Sequence, residues 1–171
     1  MSKVIRLREA RKILDIKIPV KITVIDQIVP TGVLGFYDQI FEDKFHHIVV
    51  MAHFNDIQLG ENCTLNKDGN NTLWHELAHA KQVERDYDGK YKVFLDERKD
   101  ELKTILMTKP CKECGEIHVD FYKYNMLPTE LEAKGVAKSF SKKNFIEFRP
   151  INLLREVLIV EGEDGKYDIL H

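Results

Sequence analysis

No stretch of this chain approaches the eighteen or so consecutive apolar residues needed to cross a bilayer, so a membrane-spanning role is not expected. Charge of one sign is lacking too. The 26 Lys and Arg against 28 Asp and Glu leave a formal net charge of −2, too little to draw the chain to nucleic acid or to an anionic membrane. Cysteine is scarce and odd in number, three in 171 residues, which argues against a disulfide framework. The segment Met1 to Arg8 has its positive charges interspersed rather than placed ahead of an apolar block, so no secretory signal is expected and the cytoplasm is the expected location. Repeats, low-complexity tracts and an obvious linker are missing as well. With 43% apolar residues the chain is expected to fold as one domain, residues 1–171.

What is present is Trp74-His75-Glu76-Leu77-Ala78-His79-Ala80. Two histidines four apart on a helix project from one face on successive turns, and the glutamate after the first points close beside them. Neutral imidazoles in that arrangement hold Zn²⁺, and the carboxylate, too near to be a good third ligand, is placed to take a proton from the water the metal activates. The flanks suit a helix. Asn70, Asn71 and Thr72 offer capping oxygens after the turn-rich Asn66-Lys67-Asp68-Gly69, nothing from Ala80 to Arg85 breaks a helix, and Asp86-Tyr87-Asp88-Gly89 stops it. Leu73, Trp74, Leu77, Ala78 and Ala80 give it a buried face, on which two histidines and a glutamate need partners.

Ahead of the motif, residues 3–14 carry apolar residues at helical spacing. Residues 16–26 alternate as a strand with one buried face, with Pro19 marking an edge or a strand start. Gly32 to Asp38 reads as a second strand and His46 to Phe54 as a third, apolar on both faces and so interior to a sheet. Strands followed by a metal-bearing helix make an α+β layout. Beyond it, 96–107 reads as a charged helix and Glu116 to Tyr124 alternates as a strand. Residues 145–171 read as a terminal hairpin with its turn at Glu161-Gly162-Glu163-Asp164-Gly165.

A catalytic zinc needs a third protein ligand and an open fourth position. On the helix expected over 128–140, Glu132 is grouped with Ala133, Val136, Ala137 and Phe140, and Glu130 with Lys134, Lys138 and Ser141. A carboxylate on the apolar face needs a reason to be buried, so Glu132 is expected as the third ligand, with Glu130 as the alternative.

His75-Glu76-Leu77-Ala78-His79-Ala80-Lys81-Gln82 followed by Pro128-Thr129-Glu130-Leu131-Glu132-Ala133 resembles the small gluzincin metallopeptidases of bacteria and phages, the ImmA/IrrE-like group. In that group the third ligand is a glutamate followed by alanine on a second helix, which matches Glu132-Ala133. The resemblance spans about residues 15–142 and implies a minigluzincin core, in which a small twisted sheet packs on the motif helix and the glutamate helix. No third histidine follows the motif before Lys103, which sets the SprT-like branch aside. The stretch at about 88–126, with Lys109-Pro110-Cys111-Lys112-Glu113-Cys114-Gly115, is an insertion relative to the group's minimal pattern. Cys-x-x-Cys-Gly has the shape of a zinc knuckle, so Cys111 and Cys114 are candidate ligands of a second, structural zinc, completed by Cys63 and His118 or by another copy of the chain.

The expected function is therefore zinc-dependent hydrolysis of a peptide or protein substrate, with Glu76 as general base. A hydrogen-bond donor to the tetrahedral intermediate is also required. Tyr124 is the first candidate, then Tyr122, with His46, His47 and His53 weaker ones. Two other readings are a zinc-stabilised regulatory or protein-binding factor that does not hydrolyse peptides, which leaves Glu76 without a purpose, and a redox or metal-storage protein working through Cys111 and Cys114.

Overall fold

Valine, isoleucine and threonine crowd residues 20–25 and 45–51, and β-branched side chains pack well on a pleated surface. In the computed structural model of the chain, which describes residues 1–25, 35–41, 45–51, 63–87, 106, 109–118, 120–148, 150–154 and 157–160, these two segments are inner strands of a five-stranded sheet. The fold is α+β.

The chain begins with β1 (Lys3–Arg6) and α1 (Leu7–Ile13), then enters β2 (Val20–Ile25). β3 (Gly35–Phe41) and β4 (Phe45–Met51) are antiparallel to each other, and β2 lies parallel to β4. A two-residue β5 (Cys63–Thr64) leads into the long α2 (Lys67–Tyr87). The short α3 (Phe121–Asn125) precedes α4 (Pro128–Phe140), and β6 (Asn144–Phe148), β7 (Pro150–Leu154) and β8 (Val157–Val160) follow. The larger sheet has the order β3-β4-β2-β8-β7, and the smaller is β1-β6-β5.

α2 packs its apolar face on the sheet. Leu73, Trp74, Leu77 and Ala80 are buried with Val20, Ile22 and Val24 of β2 and Ile48 and Val50 of β4. Each large side chain of this kind contributes about 1.5–3 kcal/mol on leaving water. Trp74 also stacks on Phe140 of α4, 5.2 Å between ring centroids, and its indole N–H donates to the Asn144 carbonyl at 3.0 Å. Asn70, buried one turn earlier, donates to the Ser141 and Asn144 carbonyls, each at 2.9 Å, and accepts from Ile146 N–H at 3.0 Å. These bonds lock the start of α2 to the turn between α4 and β6.

Several expectations change in the structure. Residues 3–6 are a strand rather than the first turn of a helix, because they pair in parallel with Asn144–Glu147. Residues 16–19 precede the strand: the Pro19 carbonyl accepts from His46 N–H at 2.8 Å, and Pro19 sits just ahead of β2 as a strand-start proline. β2 keeps one fully buried face, Val20, Ile22 and Val24, while on the other Thr23 is covered and Lys21 and Ile25 are partly exposed. α2 starts earlier than expected because Asn66 is its cap, its side-chain oxygen accepting from Gly69 N–H at 2.8 Å. Asn70, Asn71 and Thr72 lie inside the helix.

Among the described residues of Glu116 to Tyr124, the alternation does not produce a strand. Asp120 accepts from the amides of Tyr122 and Lys123 and so caps α3 in the middle of that pattern. The C-terminal hairpin is formed by β7 and β8 at 150–160. The expected helix over 96–107, the turn at 161–165 and the segment after it lie outside the described residues.

Candidate metal centre

α2 places His75 and His79 one turn apart, with ring centroids 4.8 Å apart and Nε2 atoms 3.1 Å from each other. Both Nε2 atoms face the carboxylate of Glu130 on α4. Oε2 is 2.9 Å from His75 Nε2, and Oε1 is 3.1 Å from His79 Nε2. The three donors lie within 4.8 Å of one another. Glu130 is 2% exposed and Glu76 6%, so both carboxylates stand largely out of water.

Glu132, expected as the third ligand, is not in this cluster. Its carboxylate pairs with Arg85 at 2.9 Å and is half exposed. The reason is angular. At 100° per residue, Glu130, Ala133 and Ala137 fall within about 60° of one another while Glu132 points nearly the opposite way. The buried residues of α4 are Glu130, Ala133 and Ala137.

Hydrogen bonds around the cluster orient it. His79 Nδ1 is 2.8 Å from Gln82 Oε1, and because an amide oxygen only accepts, Nδ1 carries a proton and Nε2 is left as the nitrogen that faces Glu130. The same Gln82, fully buried, donates through Nε2 to the Thr129 carbonyl at 2.8 Å and so ties α2 to the first turn of α4. Tyr124 Oη donates to Glu130 Oε1 at 2.7 Å. Tyr124, expected as a donor to substrate, has its hydroxyl on the Glu130 carboxylate. Tyr122 is 77% exposed.

Electrostatics follow from this packing. Burial opposes ionisation of Glu130, but the hydrogen bonds from His75, His79 and Tyr124 hold its carboxyl well below the usual carboxylate range. Burial would push His79 down, yet the bond and charge of Glu130, with the charge of Glu76, outweigh it and raise its pKa. Burial lifts Glu76 above the ordinary carboxylate range, and the charge of Glu130 adds to that, against the pull of His79 and His75 and a backbone hydrogen bond from Tyr37.

β3 runs close over Glu76. A Cβ on Gly35 would stand 2.7 Å from Thr72 Cγ2, 2.8 Å from the Val49 carbonyl oxygen and 3.6 Å from Glu76 Cγ, so only glycine admits this approach.

The remaining histidine candidates are occupied elsewhere. His46, fully buried, bonds Tyr37 Oη through Nδ1 and Glu84 Oε2 through Nε2, each at 3.0 Å. Glu84, one of the residues sequence reasoning passed over, also accepts the backbone N–H groups of Lys17 and Ile18 and so fastens α2 to the entry of β2. His47 bonds Thr23 and Asp38. His53 and the side chain of Cys63 lie outside the described residues.

Cys111 and Cys114 come together with His118 as a second group of donors within 4.8 Å of one another. Gln82, the other residue sequence reasoning passed over, carried one signal, its position three after the second histidine on the same helix face.

No helix among the described residues is long and apolar enough to cross a membrane. No protein-family model, no curated protein and no solved structure matches the chain.

Proposed function

We propose that the chain is a zinc-dependent metallopeptidase of the small gluzincin type, with His75, His79 and Glu130 as metal ligands and Glu76 as general base. The observation that carries this reading is the convergence of two imidazole Nε2 atoms and one buried carboxylate beside a second buried carboxylate. The donor set fits zinc, which takes imidazole nitrogen and carboxylate oxygen at about 2.0–2.2 Å and commonly keeps three protein ligands in catalytic sites. A buried carboxylate facing two imidazoles also calls for positive charge, and a divalent cation supplies it in place of protons.

When bound, zinc supplies Lewis acidity and brings the pKa of a coordinated water toward neutrality. Glu76 accepts the proton of the attacking water and returns it to the leaving amine. Tyr124 and Gln82 hold Glu130 and His79 in position. Closure of the site by a fourth protein ligand would serve structure alone and would leave Glu76 without a purpose.

Glu76→Gln tests the reading. The variant is expected to retain zinc and to lose peptide hydrolysis by about 10²–10⁴-fold, the usual worth of a general base, measured with unfolded casein and a quenched peptide library. A variant that cleaves as fast as the parent, or a zinc-loaded parent that cleaves nothing, overturns it.

A further inference from the structure

Pro110 to His118 is not used by the proposed hydrolytic centre, yet its backbone is folded in a defined way. Cys111 N–H donates to the Glu116 carbonyl and Gly115 N–H to the Cys111 carbonyl, each at 2.8 Å. Gly115 has φ 74°, the left-handed conformation that lets the chain double back there. The turn aims the backbone amides of Cys114 and Glu113 at the Cys111 sulfur. Cys114 Sγ lies 3.0 Å from His118 Nε2.

We propose that Cys111, Cys114 and His118 bind a second zinc ion as two thiolates and one imidazole, separate from the His75, His79 and Glu130 centre. Zinc–sulfur bonds of about 2.3 Å and zinc–nitrogen bonds of about 2.0 Å place tetrahedral ligand atoms about 3.5–3.8 Å apart. The three donors lie within 4.8 Å of one another, close to that spacing. Amide N–H groups directed at the first sulfur stabilise a thiolate ligand, and thiolate with imidazole is a donor set that selects zinc over magnesium or calcium. A dithiol redox pair would not require His118 in the group. Cys111 is half-buried and Cys114 and His118 exposed, so the ion reaches them without unfolding the chain. Two residues after His118, Asp120 caps the helix that carries Tyr124, so the ion anchors the segment leading into the first centre.

The test is zinc content and cobalt spectroscopy of the full chain in reductant. Cys111→Ser with Cys114→Ser is expected to lose one equivalent of zinc relative to the parent, and to lose the sulfur-to-cobalt charge-transfer band after Co²⁺ loading. His79→Ala is expected to keep that band. His118→Ala weakens binding and His118→Cys restores it, a comparison that holds even if the double serine variant does not fold. Unchanged zinc content in the double variant, absence of the band in the Co²⁺-loaded parent, or equal affinity in the Ala and Cys variants at 118 overturns the proposal. Because the inference does not rest on hydrolysis, inactivity of the parent with the band present would count against the peptidase reading alone.

Discussion

His79 donates its Nδ1–H to the amide oxygen of Gln82, 2.8 Å away on the same helix, and the Gln82 amide nitrogen in turn donates to the Thr129 carbonyl. One side chain thus orients the His79 ring and ties its helix to the helix that brings Glu130. Gln82→Met keeps the volume and removes both bonds. It is expected to weaken zinc binding by about 10–100-fold, the usual effect of removing a ligand's supporting hydrogen bond, read by competition with a chromogenic chelator.

The two glutamates of α4 separate cleanly. Glu130→Ala is expected to abolish stoichiometric zinc binding at the first centre. Glu132→Ala leaves zinc bound and costs at most about 1 kcal/mol, because its pair with Arg85 is solvent-exposed and screened. Zinc content and urea midpoints of both variants check this, and loss of zinc only in the Glu132 variant would reverse the assignment.

His46 makes stability fall in mild acid. Burial lowers its pKa from the ordinary 6.5, only partly offset by the hydrogen bond and charge of Glu84, with Arg11 adding to the lowering. Below 6.5 the unfolded chain therefore takes up a proton that the folded chain does not. The neutral imidazole's contribution is complete above pH 6.5 and is lost as pH falls toward the folded pKa. His46→Gln is expected to be less stable at pH 7.5, since the bonds to Tyr37 and Glu84 change, but to lose less on going to pH 5.5. The difference between the two urea-unfolding series isolates this residue, and parallel series would refute the assignment.

Gly35 allows β3 to pass over the motif helix. Gly35→Val forces a side chain against the Val49 carbonyl and Thr72, where backbone cannot yield easily, and is expected to cost about 1–3 kcal/mol or more in chemical unfolding. Asn70→Ala leaves the Ile146 amide and the Ser141 carbonyl without their partner and is expected to cost about 3 kcal/mol.

The parts of this molecule that were legible in the sequence are local ones. His75, Glu76 and His79 declare themselves through helical spacing, and the all-apolar run around Ile48-Val49-Val50 identifies an inner strand without knowledge of its neighbours. Choosing between Glu130 and Glu132 required knowing which face of α4 meets α2, and Ala133 and Ala137 fit either choice within a residue or so. The Asp120 cap defeated a period-two pattern because a single side chain bonding two amides decides a helix start, whatever alternation surrounds it. β1 carried no local sign at all: its partner is β6, near the other end of the described chain.

That last pairing bears on the order in which the molecule can assemble as it is synthesised. Lys3 to Arg6 must wait for Asn144 to Glu147 before they have a strand to lie against, and Asn70 waits for the same stretch. Contacts so distant along the chain are slow to close. A ribosome-bound chain still short of β6 would already hold the histidines, Glu76 and Glu130, but not the clasp beneath their helix, so the final packing of the donor cluster arrives late in translation.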